Sequence, residues 1–128
     1  MDDWDLSKLA MFFAKEVLGW HDAVFDLYTP PREIRQEPPL EGQIQFSGFH
    51  FGRLGEVMDM AVALCDCHTD TGLVLHRDWE KKYVATIQGE TFFPALVMGE
   101  SQPCDTPHEA LLHACIAAHR RGFRFRDV

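Results

Sequence analysis

The chain has no apolar run long enough to span a bilayer, and it opens Met1-Asp2-Asp3-Trp4-Asp5, the wrong charge for a secretory leader. A cytoplasmic protein is the expectation. Positive charge is scarce: 12 Lys and Arg against 20 Asp and Glu give a formal net charge of −8. That balance argues against general binding to phosphate backbones, which recruit basic proteins by counterion release. Cysteine is sparse too. Four in 128 residues, three of them in helical patterns, read as reduced thiols and not as a disulfide framework. No serine stands in a Gly-x-Ser-x-Gly elbow, and Gly48, Gly52 and Gly55 form no phosphate-cradling loop, so hydrolase and nucleotide-binding readings have no motif behind them. Internal repeats and low-complexity tracts are absent.

What is present suffices for one domain over 1–128: 46% of the residues are hydrophobic, enough for a core that buries roughly two-thirds of the unfolded surface. The charge is uneven. Residues 1–41 carry nine acids against four bases, whereas Arg120, Arg121, Arg124 and Arg126 make the 120–128 tail basic.

The clearest local signal is Asp105-Thr106-Pro107-His108-Glu109. Thr106 suits a helix N-cap, Pro107 the first helical position, and Glu109 the reciprocal position of a capping box. The helix that follows carries Leu111, Ala114, Cys115 and Ala118 on one stripe with Leu112 and Ile116 beside it, so it packs on more than one neighbour. An earlier amphipathic helix runs from about Asp5 to Leu18, with Leu6, Leu9, Ala10, Phe13 and Val17 in helical period and Gly19 to end it. A third spans Leu54 to Cys65 on Val57, Met58, Ala61 and Leu64. Residues 20–28 read as a short strand or packed loop. Pro30, Pro31, Pro38 and Pro39 mark 29–42 as an extended surface loop. Gln43–Ser47 alternates as a strand, and Gly48–Gly52 reads as a glycine-flanked connection. Leu73–Leu75 begins another strand. Trp79, Lys81, Tyr83, Ala85 and Ile87 trace one face of the next, Gln88-Gly89-Glu90 turns, and a last strand runs through Ala95–Met98 beyond Pro94. This order predicts an α+β fold, an antiparallel β-meander of about three to five strands between three helices in α/β/α layers.

The first helix ending in Val17-Leu18-Gly19-Trp20, the central helix, the strand from Trp79 to Ile87 and the Asp105-Thr106-Pro107 start running into Ala110-Leu111-Leu112-His113-Ala114-Cys115 together resemble the phage ABA-sandwich domain family. The resemblance covers about residues 5–120. It implies a phage or prophage origin and a sheet held between helices, and it carries no catalytic residue across.

Several groups are candidates for chemistry. Cys65-Asp66-Cys67-His68, with Cys104 and His108 further along, offers thiolate and imidazole ligands suited to zinc. The Cys-x-Cys-His spacing lacks the gap that lets a first pair chelate, so core packing at a helix end is the preferred reading and no cofactor is expected. His108 and His119 are placed to share a helix face, without a partner of diagnostic spacing. In the meander, Trp79, Tyr83, Phe92 and Phe93 read as sheet-face core, with base stacking as the alternative that Lys81 and Lys82 keep open. The 29–42 loop reads either as a docking element with Ile34 and Leu40 as apolar anchors or as a mobile surface segment, and the acids Asp22, Asp26, Glu33, Glu37 and Glu41 are further candidates for partner contact. The functional expectation is a small acidic, non-enzymatic phage protein that binds a host protein, most concretely as an anti-CRISPR-like inhibitor or nucleic-acid-mimicking decoy. Alternatives are a zinc-binding or metal-dependent enzyme using Cys65, Cys67 and His68 and a small-ligand-binding phage accessory protein, with self-association through a sheet edge or a helix face open to all three readings.

Overall fold

The structure is a computed structural model and describes residues 3–20, 23–26, 33–36, 48–68, 70–89 and 96–123. The fold is α+β, with three helices and six strands among these residues: α1 (Asp3–Glu16), β1 (Ala23–Asp26), β2 (Glu33–Gln36), β3 (Gly48–His50), α2 (Leu54–Asp66), β4 (Thr71–Arg77), β5 (Tyr83–Gly89), β6 (Leu96–Glu100) and α3 (Pro107–Arg120). The meander expected beyond the second helix is present as β4-β5-β6, but it does not take in all the strands. They divide into two antiparallel three-stranded sheets, ordered β1-β2-β3 and β4-β5-β6. No helix among the described residues is long and apolar enough to cross a membrane.

Three expectations from the sequence change here. The proline-punctuated segment holds a strand after all: Glu33–Gln36 lies between the proline pairs, and Ile34 is fully buried. Prolines exclude a ladder only where they stand in it, and a four-residue strand is too short to show a period. Gly48–His50, read as a connection, is β3 and pairs with β2 through Ile34↔Phe49. Trp79 and Lys81, read as strand-face residues, stand in the turn before β5. The strand expected at Gln43–Ser47 lies outside the described residues.

Local chemistry explains the helix ends. Gly19, in a left-handed conformation (φ +71°), closes α1 so that Trp20 N–H donates to Ala14 O at 3.0 Å. The turn delivers the Trp20 ring, 2% exposed, onto Phe49. At α3, Thr106 Oγ1 accepts from Glu109 N–H at 3.3 Å and its hydroxyl donates to Glu109 Oε1 at 3.0 Å. By contrast α2 has Arg53 at its N-cap with no side-chain cap; Glu56 in its first turn instead accepts from His50 N–H at 3.3 Å, tying the helix to β3.

The buried apolar residues form one cluster drawn from all three helices and both sheets, with Phe13, Ile34, Phe49, Leu64, Ile87 and Leu111 among them. α3 packs on β5 and β6, α2 on β3, β4 and α3, and α1 on β1, β2 and α3. Beyond β6 the chain continues along β5: Ser101 N–H donates to Ala85 O at 2.9 Å, and Tyr83 and Cys104 exchange a reciprocal pair of backbone bonds at 2.7 and 2.9 Å.

Candidate functional site

The turn between β4 and β5 is braced at four of its five backbone amides, those of Asp78, Glu80, Lys81 and Lys82. Asp78 N–H donates to Lys82 O at 2.8 Å and Lys81 N–H to Asp78 O at 3.0 Å, while Asp78 Oδ1 accepts from Glu80 N–H at 3.0 Å and Lys82 N–H at 2.9 Å. An aspartate carboxylate that takes its own turn's amides is a recurrent turn device. Lys81 sits in the left-handed region at φ 65°, a cost of about 1–2 kcal/mol that a glycine would avoid. At the base, Lys82 Nζ pairs with Asp105 next to the α3 cap. The contact raises the Lys82 pKa and lowers that of Asp105, chiefly through the hydrogen bond between them. Arg77 lies over the Tyr83 ring, 5.6 Å from its centroid.

On this rigid tip Trp79 is 96% exposed. No other large apolar residue among those described approaches that figure; the next, Phe12, is 43% exposed. The expectation that Trp79 belongs to a core-facing strand is therefore overturned. Its sequence signal was available: Asp78 followed by Glu80-Lys81-Lys82 is turn chemistry, and it places Trp79 at the apex, off the strand.

The zinc candidates do not converge. Cys65 is buried on α2 and its thiol is pushed up to about 11, first by burial and then by Asp66. Cys67 caps the end of α2, and His68 meets the edge of Phe123 at 4.1 Å between centroids. Cys104 is bridged to β5, donates its Sγ–H to Gln102 O at 3.1 Å, and is also pushed up to about 11 by burial, then by Glu109. His108 opens α3, with Nδ1 buried and lacking a hydrogen-bond partner among the described residues. No group of three or more His, Cys, Asp or Glu among the described residues is placed to hold a metal ion. Cys115 is fully buried against Cys65, and its thiol is raised as well. Thiols held this high stay protonated at neutral pH, the opposite of what a nucleophilic cysteine needs.

The docking residues expected around the proline segment are also redistributed. Ile34 belongs to the core and offers no anchor, because β2 turns it inward. Glu33 is taken by His50: Oε2 and Nε2 lie 3.1 Å apart across the β2–β3 pair. Asp26 ends β1 opposite Glu33. Asp22, Glu37, Leu40 and Glu41 lie outside the described residues. Negative charge collects instead on α2, which contains Glu56, Asp59 and Asp66 and no basic residue. Glu56 is 3.6 Å from Arg53, whereas Asp59 and Asp66 are exposed, seven residues apart on one face, and neither meets a cation among the described residues. Among the described residues, one shallow cleft is lined by Gly48, Phe49, Glu56, Asp59 and Met60 and another by His68, Met98, Arg121, Gly122 and Phe123. Neither sets a nucleophile beside a base.

No protein-family model, no curated protein and no solved structure matches this chain.

Proposed function

We propose that the protein is a non-catalytic binding module that docks onto a protein partner through the Asp78–Lys82 tip, with Trp79 as its anchor. The carrying observation is an indole 96% exposed on a turn whose backbone is already fixed by its own hydrogen bonds. Tryptophan is enriched among residues that dominate binding energy, and a pre-ordered turn loses little entropy on docking. Net charge −8 favours a protein partner over nucleic acid for this aromatic. The raised thiols of Cys65 and Cys104 and the scattered histidines weigh against catalysis at the cysteine cluster. The resemblance to phage ABA-sandwich proteins supplies the most concrete version: a phage or prophage product that engages a host protein, as an anti-CRISPR-like inhibitor does.

The test is retention of host proteins on immobilised wild type and on Trp79→Ala, at low and high salt, read by mass spectrometry. A partner held by wild type at both salts and lost with Trp79→Ala supports the reading. Equal retention on both baits overturns it.

A second reading, an acidic decoy for a nucleic-acid-binding groove, is favoured by the uncompensated Asp59 and Asp66 on α2. Asp66 is the more telling of the two, since a carboxylate at a helix C-terminus opposes the helix dipole and is retained at a stability cost. A decoy competes for cations that otherwise hold phosphate, so its binding falls steeply with salt. A partner lost at high salt and on the double variant Asp59→Lys, Asp66→Lys, but kept on Trp79→Ala, selects this reading over the first.

A further inference from the structure

The two edges of the second sheet are treated differently. At the β6 edge, Arg121 Nη1 donates to Val97 O at 2.9 Å, so a side chain from the end of α3 occupies backbone there. The β4 edge has no such cover: among the described residues, no recorded hydrogen bond reaches Leu73–His76 from any element but β5. The strand is also exposed along its length. No residue of β4 is fully buried, Leu73 and Leu75 are only partly covered although they pack on the core, and Val74 is 39% exposed. β4 contains none of the usual edge protection, neither proline nor lysine nor an inward charge, and its one full charge, Arg77, stands at its end.

The hydrogen-bond phase of this edge follows from its neighbours. Tyr83 gives both backbone groups to Cys104, and Ala85 gives its carbonyl to Ser101 N–H and its amide to Ser101 Oγ at 3.0 Å. Both residues therefore turn their backbone away from β4. In an antiparallel pair the two residues opposite one another share the same phase, so Arg77 and Leu75, which face Tyr83 and Ala85, direct their N–H and C=O groups outward. Leu73 follows by the same alternation. The outward amides and carbonyls of Leu73 and Leu75 are thus symmetric about Val74, the midpoint of the seven-residue strand Thr71–Arg77.

We infer that β4 pairs with β4 of a second copy of this chain about a two-fold axis through Val74, joining two three-stranded sheets into one of six. The antiparallel register that overlaps the whole strand is also the one whose phase is correct: Leu73 meets Leu75 of the second copy in a reciprocally bonded pair, and Val74 meets Val74. Such an interface is isologous, with every contact made twice. The side chains fit it. Leucine faces leucine on the core side, valine faces valine on the other, and exposed His76 faces Gly72, which has no side chain to oppose it. Arg77 falls opposite Thr71, beside Asp70 of the second copy, and no like charges meet within the strand. The inference stands apart from the docking reading, because an antiparallel pairing carries the two Trp79 tips to opposite ends of the joined sheet.

The test is sedimentation velocity of the full chain over a rising concentration series, with two variants at the exposed Val74. Wild type and Trp79→Ala should form the same dimer. Val74→Lys, which sets two ammonium groups across the axis in place of an apolar pair, should weaken it by roughly tenfold. Val74→Cys should cross-link under mild oxidation while wild type does not, because the two Cα atoms of a non-hydrogen-bonded pair stand about 4.5 Å apart, within disulfide range. A chain that stays monomeric at the highest concentration overturns the inference, even if it captures an extended peptide. A dimer whose affinity Val74→Lys leaves unchanged overturns it as well, and a dimer weakened by Val74→Lys that Val74→Cys fails to cross-link overturns the register.

Discussion

The two sheets are attached to the helices by opposite means. The second sheet meets α3 backbone to backbone. A Cβ at Gly99 of β6 would stand 2.5 Å from both Ala114 O and Ala118 N, and Ala110, Ala114 and Ala118 are fully buried along that side of α3. The first sheet meets α1 and the turn that closes it through rings: Phe13 of α1 packs edge-on to Phe49 of β3 at 5.9 Å between centroids, and Trp20 approaches the same ring at 6.3 Å, while Phe25 of β1 packs edge-on to Phe51, just past β3, at 5.9 Å. One junction depends on having nothing between two backbones, the other on filling a gap with large side chains. Backbones cannot repack around an intruding atom, whereas rings are replaced at the cost of the volume they leave.

The largest effect should come from violating the close junction. Gly99→Val should destabilise the protein by more than about 4 kcal/mol, a large share of an ordinary domain's stability, and Gly99→Ala should keep most of that cost because the Cβ itself is the clash. Urea titration followed by circular dichroism measures both. If Gly99→Ala is tolerated, the contrast between the junctions fails.

Phe49→Ala should cost about 3–5 kcal/mol by the same measurement, with Phe49→Leu recovering most of it since the volume is largely kept. That graded response is the signature of the ring junction.

Next in size, Thr106→Ala removes the cap that starts the helix under the second sheet and should cost about 1 kcal/mol. An uncapped α2 predicts that no comparable loss follows from Arg53→Ala.

The smallest effect concerns pH. Burial holds the His113 pKa below its ordinary value of 6.5, with Glu109 opposing the shift. The unfolded chain therefore takes up this proton first as pH falls, and stability should decline below about pH 6.5 toward the folded value. His113→Gln should flatten that part of the profile, as read by urea midpoints between pH 7.5 and about 5.

The same contrast decides what was legible in the sequence. α3 could be read from Thr106-Pro107-x-Glu109 because a cap is a local hydrogen-bond problem solved by adjacent residues, and α2 because thirteen residues are long enough to show a helical period. The first sheet could not. Its strands are four, four and three residues long, and what makes Ile34 a core residue is Phe25 and Phe49 on neighbouring strands, which lie distant in sequence. The division into two sheets was hidden for the same reason, since pairing partners are a property of the packed chain. At the site, the cysteine cluster looked compact because its members are adjacent in sequence, but α2 ends at Asp66 and sends Cys65, Cys67 and His68 in different directions. Trp79 went the other way: read for its hydrophobicity, it looked like core, whereas the turn residues around it put it in water.

The opposite fates of two tryptophans give the protein a built-in optical reporter. Trp20 is sealed against Phe49 at 2% exposure while Trp79 stands in solvent at 96%. Indole emission moves to the blue in an apolar setting and to the red in water, so unfolding should redden the Trp20 component and leave that of Trp79 in place. Burial of the hairpin tip by a partner should do the reverse, shifting the Trp79 component to the blue with Trp20 unchanged. In a Trp4→Phe background, which leaves these two indoles as the only ones in the chain, loss of structure and capture of the tip can therefore be told apart in a single unlabelled emission spectrum.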